Sequence, residues 1–467
     1  MKTKIVATIG PASDSELILR EMILAGVNVA RLNFSHGSHP EHQERIRRIN
    51  LAAQITGKTV AIMLDTKGPE IRVRDLNAKI NITVGEKYTI TAQDTKGENN
   101  TIPINYKGIE NNVELGNRIL IDDGNISLMV LEIQGETVIC QAENSGEITS
   151  RKGVNIPGRE VDLPPLTQKD KEDLLFGIKH NVDFIAASFI RNAAHVIEIK
   201  EFLTKNGKDI PVIAKIESRA GIDNLEEIIK VADGIMVARG DLGVEIPLYE
   251  VPLVQKKMIK LCNQYAKPVI TATQMLESMT KNPCPTRAEA TDIANAIFDG
   301  TDAIMLSGET AAGKYPLAAV KTMGEIATAA ETELDYEKFR RINNPKTTIS
   351  AAIGYAAVCL AEELQAKAII IPTSSGATPG LIARFRPRIP MIVTTPNQKV
   401  CKALALTWGV NPLPQDYGNS YDSTIANAIA TAKEKYGLKI GDLAIITVGT
   451  TMGSSQKTNS VMAINIT

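Results

Sequence analysis

Lys215 and Glu217 stand two residues apart in the run IPVIAKIE. In an extended strand, residues two apart point to the same side. The same spacing recurs in Arg31, Asn33 and Ser35 (VARLNFS), Arg239 and Asp241 (MVARGD), Thr271 and Thr273 (ITATQ), and Ser307 and Glu309 (MLSGE), while Asp65-Thr66-Lys67-Gly68 closes a further apolar run. Each is an apolar segment that turns polar at its C-terminal end. Glu217 and Asp241 offer hard oxygen ligands that suit Mg²⁺ or Mn²⁺ with positions left open for substrate. Lys215 and Arg31 supply fixed cations that suit a phosphoryl group in transfer. Taken singly, any of these residues could simply mark where a strand leaves the core, or join a Lys–Glu ion pair. Gathered in one place, so many charges need a ligand or one another.

What gathers them is the period of the chain. Short β-branched runs begin near residues 3, 27, 59, 182, 210, 233, 267 and 301, with amphipathic helical stretches between them. All gaps but one are near 30 residues, the unit length of a (β/α)8 barrel, whose active-site residues lie at the C-terminal ends of the strands. An open doubly wound sheet is the alternative, but eight consecutive units favour closure. The long gap after the third strand holds roughly 90 extra residues by that unit length. This insertion reads as alternating strands with turn signals and no helix (KINITVGEKYTITAQ, NRILIDDGNISLMVLEIQGETVICQAEN), a small β-barrel-like domain. Gly and Pro at its borders would let it close as a lid. After Leu334, YEKFRRINNPKTT reads as a linker and a further α/β pattern follows. The expected domains are therefore a discontinuous catalytic barrel (1–69 and 164–338), an inserted lid (70–163) and a C-terminal α/β domain (339–467).

Other features carry less. GETAAGKY nearly matches a P-loop, but Tyr315 replaces the Ser or Thr that would reach Mg²⁺, so a P-loop is rejected. His39 and His42 read as a solvated loop, and Arg45, Arg47 and Arg48 as an exposed helix face. In the C-terminal domain, Thr373-Ser374-Ser375-Gly376-Ala377-Thr378 lies between a strand and a helix. It reads equally as a phosphate nest or as an ordinary strand–helix turn.

Composition narrows the classes. The 467 residues carry 52 Lys+Arg against 53 Asp+Glu, a net charge of −1, and one Trp. A global basic field or an aromatic stacking platform for nucleic acid is therefore absent. The five cysteines form no CxxC, and no apolar stretch is long enough for a signal peptide or a membrane span, so a reducing, cytoplasmic setting is expected without nucleic-acid or membrane partners.

KTKIVATIGPAS, ARLNFSHG, MLDTKGPEIR, AKIE, MVARGDLGVE, TATQMLESM, PTRAEATDIANA and DGTDAIMLSGETAAGKYP resemble, in order, the successive blocks of the pyruvate kinases. The resemblance implies transfer of the phosphoryl group of phosphoenolpyruvate to ADP, giving ATP and pyruvate, the last step of glycolysis. It implies Mg²⁺ or Mn²⁺ on Glu217 and Asp241, and cations Lys215 and Arg31 on the phosphoryl group. It further implies K⁺ held by Asn33, Ser35, Asp65 and Thr66, and carboxylate binding at Gly240 beside Asp241 with Arg239 flanking. Thr273 matches the residue that helps protonate the enolate through water, with Ser307 and Glu309 in the same relay. Pro11, His36, Arg72 and Lys152 match nucleotide contacts, and Glu70 matches the K⁺-requiring form of the family. The TSSGATP turn (Thr373, Ser374, Ser375, Gly376, Thr378) resembles an effector phosphate loop, implying a phosphorylated small-molecule activator. The later loop GTTMGSSQKTN matches no effector signature. A homotetramer is expected from the resemblance alone. At its ends the chain is expected to depart from other members, without the leader of larger ones or the extra C-terminal domain of some bacterial ones. Two other classes stay open: a Mg²⁺-dependent enolate aldolase or lyase on the same barrel, and a catalytically idle binding protein.

Overall fold

The computed structural model describes residues 1–467 except 160, 162, 343–347, 419 and 450–457. Eight parallel strands close a barrel: β1 (Lys4–Thr8), β2 (Val27–Asn33), β3 (Ala61–Asp65), β4 (Phe184–Ala187), β5 (Val212–Ile216), β6 (Gly234–Ala238), β7 (Val269–Ala272) and β8 (Ala303–Leu306), with β8 pairing back onto β1. These are the eight runs read from the sequence, so the expected fold class holds. Alternation sorts their side chains. Val29, Met63, Ile213, Met236, Ile270 and Met305 fill the inside of the barrel, whereas Leu32, Leu64, Val212, Val237 and Val269 pack outward against the helices. The helices start where short polar side chains cap free backbone N–H groups, as Thr167, Asn192, Ser218 and Thr286 each do.

The insertion after β3 is all strand apart from one helical turn, Ile109–Asn111. A seven-stranded sheet and a two-stranded ribbon enclose a separate core that includes Ile90, Ile102, Ile119, Leu128 and Val138. The C-terminal domain is a five-stranded sheet of β9 (Ala368–Pro372), β10 (Met391–Thr395), β11 (Leu413–Pro414), β12 (Leu443–Val448) and β13 (Ser460–Asn465), with only β13 antiparallel. One side of this domain shares the barrel's outer core: Ile369, Phe385 and Trp408 belong to the same buried cluster as the barrel helices. The lid is thus an independent body, and the C-terminal domain is fused to the barrel's underside.

Four local expectations change. The supposed linker begins with a helix, Tyr336–Ile342, held by the Arg340–Glu362 ion pair at 2.6 Å. The helix expected at GLIARFR starts earlier, at Ala377, because Gly376 (φ 81°) turns the chain and Pro379 falls in the first turn, where a missing N–H costs nothing. The helix of QKVCKALALTWG ends at Ala403 and continues as a 3-10 turn that brings Trp408 into the core. Strand β11 was not foreseen because its two residues are too short to show a period. The five cysteines are all free. Among the described residues, no helix is long and apolar enough to cross a membrane.

Candidate active site

Inside the barrel, the positions above the apolar layer are Arg31, Asp65 and Lys215, followed by Asn33 and Glu217. They form a buried chain of alternating charge. Arg31 Nε donates to Asp65 Oδ2 at 2.6 Å, and Lys215 Nζ reaches Asp65 Oδ1 at 3.1 Å and Glu217 Oε1 at 2.9 Å. Glu217 Oε2 accepts the Phe189 N–H at 2.6 Å, and the Asp241 carboxyl is close enough to Glu217 to bear on its ionisation. Burial opposes ionisation of Asp65, but Arg31 and Lys215 together hold it below the ordinary carboxylate range. Burial likewise opposes the Lys215 charge, and Asp65 and Glu217 outweigh it, so Lys215 stays a cation. At the other end burial wins. Glu217 is pushed up to about 7 by desolvation and by Asp241, against the pull of Lys215. Asp241 is raised by its own burial and by Glu70 and Asp123 of the lid. Two fixed cations therefore sit beside two adjacent carboxyls that resist sharing negative charge. That donor set calls for a divalent cation, and a pair of carboxylates leaving room for water and substrate is how Mg²⁺ is usually held.

The expected monovalent-cation residues come together through register. Asn33 pairs with Asp65 across β2 and β3, with Ser35 and Thr66 just beyond. The Asn33 side-chain oxygen accepts the Ser35 N–H at 3.1 Å, and Thr66 Oγ1 accepts the Ser188 N–H at 3.1 Å. Sequence reasoning missed Ser188 and Thr8. Ser188 Oγ accepts from Lys215 Nζ at 2.7 Å and donates to the Thr66 carbonyl at 2.7 Å, while Thr8 Oγ1 accepts from Arg31 Nη1 at 2.8 Å. The two-residue alternation from Phe184 through Ala186 would have found Ser188, and that from Val6 would have found Thr8.

The seventh and eighth strand ends differ from a simple alternation. Thr271 faces outward, where its hydroxyl meets Thr301 at 3.0 Å, and has no part in the site. After β7 the chain enters a left-handed turn at Thr273 and Gln274 (φ 65° and 55°), which re-aims Thr273 so that its Oγ1 accepts the Gly240 N–H at 2.9 Å. Asp241 lies in the first turn of the helix Arg239–Glu245, not on the strand. Arg239 points away from the carboxyl pair, onto the Thr273 carbonyl and Asp292. Glu309 is fully buried and binds the N–H groups of Ser307 (2.7 Å) and Leu276 (3.0 Å).

Of the expected nucleotide contacts, Pro11 and His36 lie exposed in the loops after the adjacent strands β1 and β2. Arg72 and Lys152 belong to the lid, where Arg72 Nε donates to Glu70 at 2.6 Å and Lys152 pairs with Asp122 at 2.7 Å. The lid meets the barrel through Asn155 Nδ2, which donates to Glu245 Oε1 at 2.9 Å. His42 is not in a solvated loop: it is buried in the helix His39–Thr56, stacked on Phe34 at 4.0 Å, and burial lowers its pKa to about 4. His39 starts that helix and pairs with buried Asp173 at 2.7 Å. Arg45 is buried too, facing Asp14 at 3.6 Å, so of the three arginines only Arg47 is fully on the surface.

In the C-terminal turn the Gly376 N–H bonds Thr373 Oγ1 at 3.0 Å, Ala377 N–H bonds Ser375 Oγ at 3.4 Å, and Thr378 meets Thr458. Ser374 is exposed. Residues 450–457 of the later loop GTTMGSSQKTN lie outside the described residues.

Comparison with known proteins identifies the family. The model of the pyruvate kinase barrel domain matches residues 1–320, and that of the pyruvate kinase alpha/beta domain matches residues 351–464. The pyruvate kinase of Geobacillus stearothermophilus is 50% identical over 464 residues, 98% of this chain and 79% of that protein. The pyruvate kinase of Staphylococcus aureus (strain MRSA252) is 50% identical over 463 residues, with the same coverage of both. The crystal structure of a pyruvate kinase from Cryptosporidium parvum superposes with a TM-score of 0.95 at 40% identity, covering 100% of this chain and 96% of that one. Two domain models matched in order, and half the residues shared with enzymes of one name along almost the whole sequence, place the chain in the pyruvate kinase family.

Proposed function

We propose that the barrel mouth moves the phosphoryl group of phosphoenolpyruvate to ADP with the residues named above in the following roles. Arg31 and Lys215 bind the phosphoryl oxygens, their charge kept in place by Asp65 between them. Glu217 and Asp241 hold Mg²⁺ or Mn²⁺, which when bound neutralises phosphate charge. The Gly240 backbone binds the substrate carboxylate. Pro11, His36, Arg72 and Lys152 receive the nucleotide, the last two carried in by the lid, which also keeps water from the phosphoryl group. The bond from phosphorus to the enol oxygen breaks, the bond to the terminal oxygen of ADP forms, and the enolate left behind takes a proton at its methylene carbon. Thr273, through water, delivers that proton.

Asn33, Ser35, Asp65 and Thr66 form the K⁺ site, with Glu70 marking the K⁺-requiring form. The turn Thr373–Thr378 receives a phosphorylated effector. Leu248, Tyr249, Leu253 and Ile349 are exposed apolar side chains that a homotetramer would cover. The observation that carries the reading is the buried series Arg31–Asp65–Lys215–Glu217 with half-buried Asp241 beside it, which supplies both charge signs that phosphoryl transfer needs. The test is pyruvate formation from phosphoenolpyruvate and ADP with Mg²⁺, comparing K⁺ with Na⁺, for the native chain and Lys215→Met. Turnover should require ADP and K⁺ and fall by at least about a hundredfold in the variant. Equal rates in Na⁺ would remove the K⁺ assignment, and an unaffected variant would remove that of Lys215.

A further inference from the structure

Thr273 is β-branched, and at such residues a positive φ is rare and strained and persists only where the surroundings enforce it. Here Thr273 and Gln274 are both left-handed, at φ 65° and 55°. The strain has a geometric result: it breaks the alternation of β7, so that the Thr273 hydroxyl faces the Gly240 N–H rather than the outer helices.

Arg239 is the side chain that enforces it. Its guanidinium is buried and spans the bend. Nε bonds the Ala272 and Thr273 carbonyls, both at 3.2 Å, Nη2 bonds the Thr273 carbonyl at 2.5 Å and lies 3.2 Å from Met275 Sδ, and Nη1 donates to Asp292 Oδ2 at 2.5 Å. Asp292 comes from the separate helix Arg287–Asp299, so the fork is braced from outside the bend. Gly240, whose N–H meets the hydroxyl, immediately follows Arg239 in sequence. Arg239 therefore fixes the carbonyl side of Thr273, and the next residue, Gly240, supplies the amide N–H that the hydroxyl accepts. These bonds turn the guanidinium toward the bend and Asp292, away from the carboxyl pair. Glu309 grips the next part of the loop through Leu276 N–H, so the segment retains a second anchor if Arg239 is altered.

We infer that Arg239, braced by Asp292, is a positioning residue for the proton-transfer half of the reaction: it holds the Thr273–Gln274 bend so that the Thr273 hydroxyl stays aimed at the substrate's reacting carbon. This inference rests on the assignment of Thr273 to proton delivery. It replaces the expectation that Arg239 binds substrate directly. A displaced donor costs rate more than affinity, because the phosphate and metal contacts are made by other residues and only the Gly240 N–H is shared between the carboxylate site and the Thr273 hydroxyl.

The test separates proton transfer from binding. Exchange of the pyruvate methyl protons with D₂O is followed by proton NMR in the presence of Mg²⁺, K⁺ and ATP, alongside steady-state kinetics. Arg239→Lys keeps the charge but loses the planar fork. It should slow exchange by about ten- to a hundredfold, with KM for phosphoenolpyruvate within about twofold of native. In a Thr273→Ala background it should add less than about twofold, since residues acting as one unit are not additive. Asp292→Asn, which keeps an acceptor for Nη1, should lose far less than Asp292→Ala, and this pair serves if Arg239→Lys fails to fold. A fully additive loss on top of Thr273→Ala would overturn the inference, as would a raised KM with exchange intact. If Thr273→Ala itself exchanged at the native rate, the assignment of Thr273 would fall and the inference with it.

Discussion

Removing the Arg386 guanidinium should loosen the C-terminal domain from the barrel. Arg386 is 1% exposed and reaches across the domain boundary. Nη1 pairs with Asp302 Oδ1 at 3.0 Å, and Nη2 donates to Asn263 Oδ1 at 2.9 Å and to the Gly300 carbonyl at 2.6 Å. Its guanidinium carbon lies 5.1 Å from the Trp408 ring centre. In Arg386→Met the apolar stem is roughly retained, but among the described residues the buried Asp302 carboxylate keeps only the N–H groups of Trp408 (3.3 Å) and Val269 (3.1 Å). Stranding one partner of a buried pair costs about 3–5 kcal/mol. With a urea slope of about 2–3 kcal/mol/M, the undocking midpoint should fall by about 1–2.5 M. The chain supplies its own probe, because Trp408 is its one tryptophan and sits at this boundary. Its emission should shift to longer wavelength at lower urea than the loss of helical circular dichroism, whereas the native chain should show the two changes closer together. A midpoint within about 0.3 M of native would mean that Arg386 and Asp302 contribute little to docking, and the argument from burial would be refuted.

Lys4 gives a prediction in pH. Burial lowers its pKa from 10.5 to about 8, with Glu331 opposing, while Nζ donates to the Val410 carbonyl at 2.6 Å. Between pH 8 and 10.5 the unfolded chain therefore binds more protons than the native one, so native stability should rise with pH across that window, by at most about 3 kcal/mol. The difference in unfolding free energy between the native chain and Lys4→Met should climb over the same range; parallel pH curves would contradict the assignment. Asn155→Ala removes the 2.9 Å hydrogen bond from the lid to Glu245. At about 1 kcal/mol, it should raise KM for ADP about fivefold and speed proteolysis at the lid borders, with unchanged values showing that this contact does not hold the lid closed.

Much of the site was legible because a barrel makes sequence position equivalent to spatial position. Once the spacing of the runs implied eight parallel strands, every polar C-terminal end had to lie at one mouth, whichever neighbours each strand took. Lys215, Glu217, Arg31 and Asp65 followed from that and from alternation. The inserted body was equally visible, since its period of two differs from the surrounding units. Alternation stops being informative where a strand ends. Whether Thr273 faces inward depends on the left-handed bend after β7, and that bend depends on Arg239, Asp292 and Glu309, which come from three other segments. For the same reason the resemblance set Arg239 beside the carboxylate site and Glu309 in the proton relay, but could not show that Arg239 bonds the Thr273 carbonyl or that Glu309 binds the Leu276 N–H. His42 and Arg45 looked solvent-exposed because polarity alone was read; Phe34 and Asp14, contributed by neighbouring loops, are what make their burial affordable. The sequence alone determined the strand order, the separate domains and the kinds of charge at the barrel mouth, because these depend on period and residue type. Only the tertiary structure decided which of those charges face one another and how far their pKa values move, because both depend on distance and burial among residues far apart in the chain.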